Sequence, residues 1–213
     1  MSKKREKQRN DGGMYEMNDS LAVKTQQKRR KKHDARELCY SAVAVTILVM
    51  CSWMSVLIGS IPLTFQTLGV CLVGGLLGWK RATIAMLAYI LLGLVGVPVF
   101  AGFTGGVAKL LSSTGGYIIG FLFAEPVIGA FSDVFVHRKG AKSVMMIGVG
   151  MLIGLFICYF FGTIWFVLLT SPENLLVGLL SGVAICVLPY VPFDIAKIVA
   201  AVFLTKRLKI FIK

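Results

Sequence analysis

Asn174-Leu-Leu-Val-Gly-Leu-Leu-Ser-Gly-Val-Ala-Ile-Cys-Val-Leu188 is the stretch on which the topology turns. It is apolar enough to enter a bilayer, yet at about 15 residues it falls short of the roughly 20 that a helix needs to cross the hydrocarbon. The segments on either side decide how it is read. On its C-terminal side a helix that Pro192 is well placed to begin as its first residue leads into the basic cluster Lys206, Arg207 and Lys209. On its N-terminal side five apolar runs span Leu38 to Ile58, Leu63 to Trp79, Ala82 to Val95, Thr114 to Val136 and Val144 to Trp165. Lys80 and Arg81 separate the second run from the third. His137, Arg138, Lys139 and Lys142 separate the fourth from the fifth. If Asn174 to Leu188 crossed, the last basic cluster would lie opposite all the others. The excess of Lys and Arg in cytoplasmic loops therefore argues for a short helix that starts and ends on the outer side. The expectation is an all-α membrane protein: a six-helix transmembrane bundle with short or re-entrant segments on the outer side and both termini cytoplasmic.

Composition agrees with lipid as the main solvent. Of 213 residues, 56% are hydrophobic and 15% charged, against roughly 25% charged residues in a soluble domain. The net charge of +13 would suit a nucleic-acid binder, but twelve of the 23 Lys and Arg lie in the first 36 residues. That segment, 1–36, lacks apolar periodicity and reads as a disordered, basic cytoplasmic tail ahead of a transmembrane domain over 37–213, with no nucleic-acid partner. The first apolar run starts only near Leu38 and has no clear cleavage site, so it reads as a retained helix rather than a signal peptide. The five cysteines stand singly within apolar runs, without metal-ligand spacing, and read as small core residues. Gly74/Gly78, Gly116/Gly120, Gly150/Gly154 and Gly178/Gly182 are pairs of small residues suited to close helix packing inside the bundle.

Beyond Glu37 the acidic residues are Glu125, Asp133, Glu173 and Asp194, and a charge within a bilayer calls for a reason. Asp133 sits beside the inner basic loop and is expected to pair with His137 or Arg138. Glu125 lies deeper, and neither is expected in a ligand site. Asp194 and Lys197 stand three apart on one face of the last helix, in its first turn and a half, where the helix dipole favours an anion. Interrupted segments converge on the same side: Gly59 to Gln66, Gly96 to Ser113 and Ser171 to Pro192. Irregular backbone at that depth survives where protein or a water-filled cavity satisfies it. An acceptor and a cation at the mouth of an outward-facing cavity suit a small polar ligand, with Gln66 and Phe65 beside them. No H-E-x-x-H or phosphate-binding G-x-x-x-x-G-K-[ST] occurs, and Asp133 with His137 lacks oxyanion donors, so an enzyme is not indicated.

Ile61-Pro-Leu-Thr-Phe-Gln-Thr67, Gly96-Val-Pro-Val-Phe-Ala-Gly102, Thr114-Gly-Gly-Tyr-Ile-Ile-Gly-Phe121 and the Pro192/Asp194/Lys197 segment occur in one order along the chain. In these motifs the chain resembles the biotin-specific substrate-binding (S) components of energy-coupling-factor (ECF) transporters, the BioY family. It departs from that pattern at Phe193, where a glycine is expected before the acid, and at Ser112-Ser113, where Gly-Pro is expected. The resemblance implies a plasma-membrane importer subunit. It would capture biotin outside and deliver it to the cytoplasm, with a transmembrane coupling subunit and two cytoplasmic ATP-binding subunits supplying the energy and no cofactor of its own. It also implies biotin contacts at Asp194 and Lys197, under a loop of Phe100, Phe103, Thr104, Gly105 and Gly106 and a segment with Thr114 and Tyr117. In this wider class small residues of helix 1 meet the coupling subunit, and Ala42 and Thr46 are so spaced. The alternatives are an S component for another small vitamin, and a solitary biotin transporter that works without ATPases.

Overall fold

The structure, a computed structural model, describes residues 36–58, 61–138, 140–170 and 175–209. The basic tail before Arg36, and Lys139, Glu173 and Lys213, lie outside the described residues. Helix α1 covers Arg36–Trp53. A two-stranded antiparallel hairpin follows, β1 (Ser55–Ile58) and β2 (Ile61–Thr64), with Ser55 opposite Thr64. Then come α2 (Gln66–Leu94), a short α3 (Val107–Leu110), α4 (Gly115–Phe135), α5 (Ala141–Thr170), α6 (Leu175–Cys186) and α7 (Val191–Leu208). The chain divides into two compact units after Tyr40. In the first, Arg36 lies over the ring of Tyr40 at 5.8 Å. The remaining description concerns the second unit.

Several boundaries shift from the sequence reading, α5 for instance covering Ala141–Thr170 rather than Val144 to Trp165, and two differences change the architecture. The first apolar run stops being helical at Trp53, not Ile58. Its last residues form β1, because the Met54 carbonyl takes the Phe65 N–H (3.0 Å) and the chain pairs with Ile61–Thr64 instead of continuing the helix. The second and third runs form the unbroken assignment Gln66–Leu94, with a non-helical Gly78 (φ 78°, ψ 175°) inside it. These are nonetheless two antiparallel legs. Gln66 Nε2 donates to Tyr89 Oη over 3.2 Å, whereas 23 residues of straight helix would separate their backbones by about 34 Å. Gly78 makes the reversal, with a positive φ that a side chain disfavours. The Asp133 carboxylate lies against it and accepts the Trp79 N–H at 3.1 Å. Asp133 thus serves the start of the second leg, with Lys209 Nζ 4.0 Å away, rather than pairing with His137 or Arg138.

Among the described residues four helices are long and apolar enough to cross a membrane: α1, α2, α4 and α5. The count becomes five if α6 and α7, bent by 55° at the break between them, make one span. The expected six crossings differ from this count chiefly because α2 is two legs and α7 is short. Large apolar side chains such as Phe156, Phe203 and Leu180 point outward, as they do when lipid is the neighbour. The core lies where α2, α4, α5 and α7 meet, with Tyr89, Met86, Ile128 and Met151 fully buried. α4 packs against α2 and α5 through its glycines. A side chain at Gly116 would strike Trp165, one at Gly120 the Cys158 backbone, and one at Gly129 the Trp79 backbone. The pairs Gly116/Gly120 and Gly150/Gly154 therefore serve packing within the chain, Gly150 facing Phe131 and Gly154 facing Ile128, whereas Gly78 of the Gly74/Gly78 pair makes the reversal of α2. Cys71, Cys158 and Cys186 are buried, as expected of core residues, whereas Cys39 is exposed.

The end of the bundle around Gly78 is tied by lysines. Lys206 Nζ donates to the carbonyls of Val136 (3.0 Å) and Arg138 (2.8 Å) and to Ser143 Oγ (2.6 Å), which fixes the turn from α4 to α5. Lys209 Nζ donates to the Gly75 carbonyl at 3.2 Å. The N-termini of α2, α4 and α7 lie at the other end, around a cavity.

Candidate functional site

Pro192 stands at the second position of α7, one residue further in than expected, and starts the helix so that Asp194 falls in the first turn. The face shared at i and i+3 brings Lys197 Nζ to 2.8 Å from Asp194 Oδ1. The pair is buried, Asp194 being 4% and Lys197 9% exposed. Each charge has one further partner from a distant element. Tyr159 of α5 donates its hydroxyl to Asp194 Oδ2 at 2.6 Å, and Lys197 Nζ donates to the Thr64 carbonyl at 2.7 Å. The Lys197 ammonium also lies 5.8 Å from the centre of the Phe65 ring. Neither charge is exhausted. An ammonium has three donors, of which two are used, and a carboxylate offers about four lone-pair sites, of which two are used.

This cluster forms one wall of a cavity with about 670 Å³ of atom-free space, part of it open to solvent. Ile118, Phe121 and Leu155 supply apolar surface, and Gln66, Thr114, Tyr117 and Tyr159 supply placed polar groups. The Gln66 amide is oriented by Tyr89, whose hydroxyl lies 3.1 Å from the Val99 carbonyl and 3.2 Å from Ser52 Oγ. The Tyr117 hydroxyl is buried beside Thr163 and Cys186 and has the geometry of a hydrogen bond with neither. A mostly apolar pocket with a few convergent polar groups is the usual form of a small-molecule site. Among the described residues no cluster of His, Cys, Asp or Glu could hold a metal ion.

The sequence-predicted residues divide into three sets. Asp194, Lys197, Gln66, Thr114 and Tyr117 line the cavity together. Phe103 and Thr104 line a neighbouring groove that shares Ala101, Lys109 and Thr114 with it. Phe103, 63% exposed and at φ 57°, leans on Trp53 with ring centres 4.9 Å apart. The remaining four line neither space. Phe100, 1% exposed, packs edge-on against Tyr89 and over Gly93. Gly105 passes close to the Val97 carbonyl, Gly106 turns the chain at φ 88° into α3, and Phe65 touches the site only through its ring. Sequence reading passed over Tyr159, Lys109, Cys158, Cys186 and Tyr190, which also line the cavity. Tyr159 sits in an apolar run, Cys158-Tyr-Phe-Phe161, with no spacing that ties it to Asp194. Glu125 lies outside the cavity, as expected. It is fully buried where α4 meets Gly74 of α2, and both its carboxyl oxygens lack a hydrogen-bond partner among the described residues.

The BioY family profile matches residues 24–213. The chain belongs to the BioY family. Several BioY relatives bear the description biotin transporter, two of them as follows. The one from Thermotoga maritima is 34% identical over 176 residues, covering 82% of this chain and 96% of its own. The one from Lactococcus lactis subsp. cremoris is 32% identical over 179 residues, covering 82% and 90%. The crystal structure of the S-component for biotin from an ECF-type ABC transporter superposes with a TM-score of 0.68 at 28% identity, covering 84% of this chain and 93% of that one. The BioY resemblance read from the motifs is thus confirmed. The chain is a multi-pass membrane protein of a transporter family, not of an enzyme family.

Proposed function

We propose that the chain is the biotin-binding S component of an ECF-type importer, and that Asp194 and Lys197 bind the ureido head of biotin. The observation that carries this reading is the buried Asp194–Lys197 pair, held open-handed in the wall of an apolar cavity. A ureido group has one carbonyl acceptor and two N–H donors. The third ammonium hydrogen of Lys197 meets the carbonyl, and the unused lone pairs of Asp194 meet an N–H. Ile118, Phe121 and Leu155 pack against the apolar bicycle, Thr114, Tyr117 and Gln66 offer it polar contacts at the edges, and Phe103 and Thr104 lie over the entrance. Radiolabelled biotin is expected to bind the purified protein and to be displaced by unlabelled biotin but not by thiamine or riboflavin. Displacement by either of those would assign the site to another vitamin.

The partners on this reading are a transmembrane coupling subunit, approached through the exposed Ala42 and Thr46 face of α1, and two ATP-binding subunits. Biotin uptake is then expected to vanish in cells that lack the ATPases. Undiminished uptake in such cells would make the chain a solitary transporter. The cavity opens outward and the end that carries Lys80, Arg81, Arg138 and Lys206 faces the cytoplasm, with both termini inside. A cysteine placed at Leu168 should react with an impermeant thiol reagent on intact cells, and protection there until the cells are lysed would reverse the orientation.

A further inference from the structure

The cavity and the neighbouring groove meet at Lys109. Among the described residues three charged side chains line these two spaces: Asp194, Lys197 and Lys109. The first two neutralise each other across 2.8 Å. The Lys109 ammonium has no ion pair or hydrogen bond with the described residues. The described lining therefore carries one uncompensated positive charge. It is not the charge of a loose surface lysine. Lys109 sits half-buried in α3, which is anchored by buried Leu110, by the Gly106 N–H on the Gly93 carbonyl (2.7 Å) and by Ser112 Oγ on Lys109's own carbonyl (2.6 Å).

We propose that Lys109 is the carboxylate subsite of this cavity. The ligand's polar head is held by Asp194 and Lys197, its anionic tail ends on Lys109 at the junction with the groove, and the site thereby selects a free acid over the corresponding neutral ester. The inference rests on the biotin reading above. The groove suits the exit of such a tail. Its walls carry Ser55, Thr104, Ser112 and Ser113, so the carboxylate keeps water on one side and is not stripped of all hydration, which limits the desolvation cost of the ion pair.

The test is the affinity of the purified full chain for biotin and for biotin methyl ester, in the parent and in Lys109→Met and Lys109→Arg. The parent is expected to bind the acid roughly ten- to a hundredfold more tightly than the ester, the range of a hydrogen bond to a charged group. Lys109→Met should weaken acid binding to the level of the ester and leave ester binding unchanged, and Lys109→Arg should restore the preference. The unfolding temperature without ligand should be alike in all three, since the Lys109 ammonium holds nothing in the fold. If the parent binds acid and ester equally, or if Lys109→Met keeps the preference, the subsite is wrong while the biotin reading stands. If the parent binds neither compound, the biotin reading itself fails.

Discussion

Replacing Asp194 by Asn and Lys197 by Met together is expected to weaken biotin binding by about 10² to 10⁴-fold while leaving the protein folded. The two side chains each lose a charge-assisted hydrogen bond to the ligand, at about 1.5–3 kcal/mol apiece, and every 1.4 kcal/mol is a factor of ten. The double replacement is the informative one. Removing Lys197 alone leaves a buried carboxylate, 4% exposed, whose one cation is gone. Breaking a buried pair in this way costs about 3–5 kcal/mol of stability, so loss of binding would be confounded with loss of fold. In the double variant Asn keeps an acceptor for the Tyr159 hydroxyl and Met keeps much of the lysine's volume. Equilibrium binding of labelled biotin, read beside the unfolding temperature in the same detergent, separates the two effects. A stable double variant that binds as the parent does would remove Asp194 and Lys197 from the site.

Gly129→Leu acts at the other end and through packing alone. An added Cβ at Gly129 would lie 2.4 Å from both Trp79 N and Trp79 Cα. These are backbone atoms at the reversal of α2, held by the Asp133 carboxylate one turn along α4, so no side chain can swing aside. The α2 hairpin must lift off α4, and the expected cost is about 3 kcal/mol or more, at the upper end of overpacking effects. Gly148→Ala is the matched control. Its Cβ would meet only Val202, at an ordinary 3.7 Å, and the change should be neutral or stabilise by about 0.5–1 kcal/mol through helix propensity. Size-exclusion profiles and unfolding temperatures of the two variants give the comparison. A Gly129→Leu protein as stable as the parent would mean that α2 and α4 do not touch at this crossing.

Particular residues mark how far the sequence was legible. Asp194 and Lys197 could be paired from spacing alone, because i and i+3 share a helix face whatever the rest of the chain does. The placement of Lys80 and Arg81 between two short apolar runs gave the two legs of α2, although nothing in Gly78 itself distinguishes it from the neighbouring glycines before Asp133 is seen against it. The end of α1 was misplaced because Ser55–Ile58 is as apolar as the helix before it. Only the strand opposite, Ile61–Thr64, explains the change, and that pairing is tertiary information. Phe100 and Phe103 looked equivalent in Gly96 to Gly106, yet one is sealed in the core and the other stands at the groove. A loop's facing is set by what it lands on, here Gly93 and Tyr89 for Phe100 and Trp53 for Phe103. Tyr159 was invisible for a related reason, since an apolar run hides which of its faces meets the cavity.

The bond from Lys197 to the Thr64 carbonyl joins residues 133 positions apart. The cavity borrows its polar wall from the start of α2, the middle of α5 and the start of α7, so it does not exist until the last helix has left the ribosome and docked. A ligand that binds there rewards only the finished chain, by RT ln(1 + [L]/Kd). Vitamin supply would then act during biogenesis as well as in uptake, since a cell rich in the ligand would rescue completed molecules from proteolysis and leave truncated ones without protection.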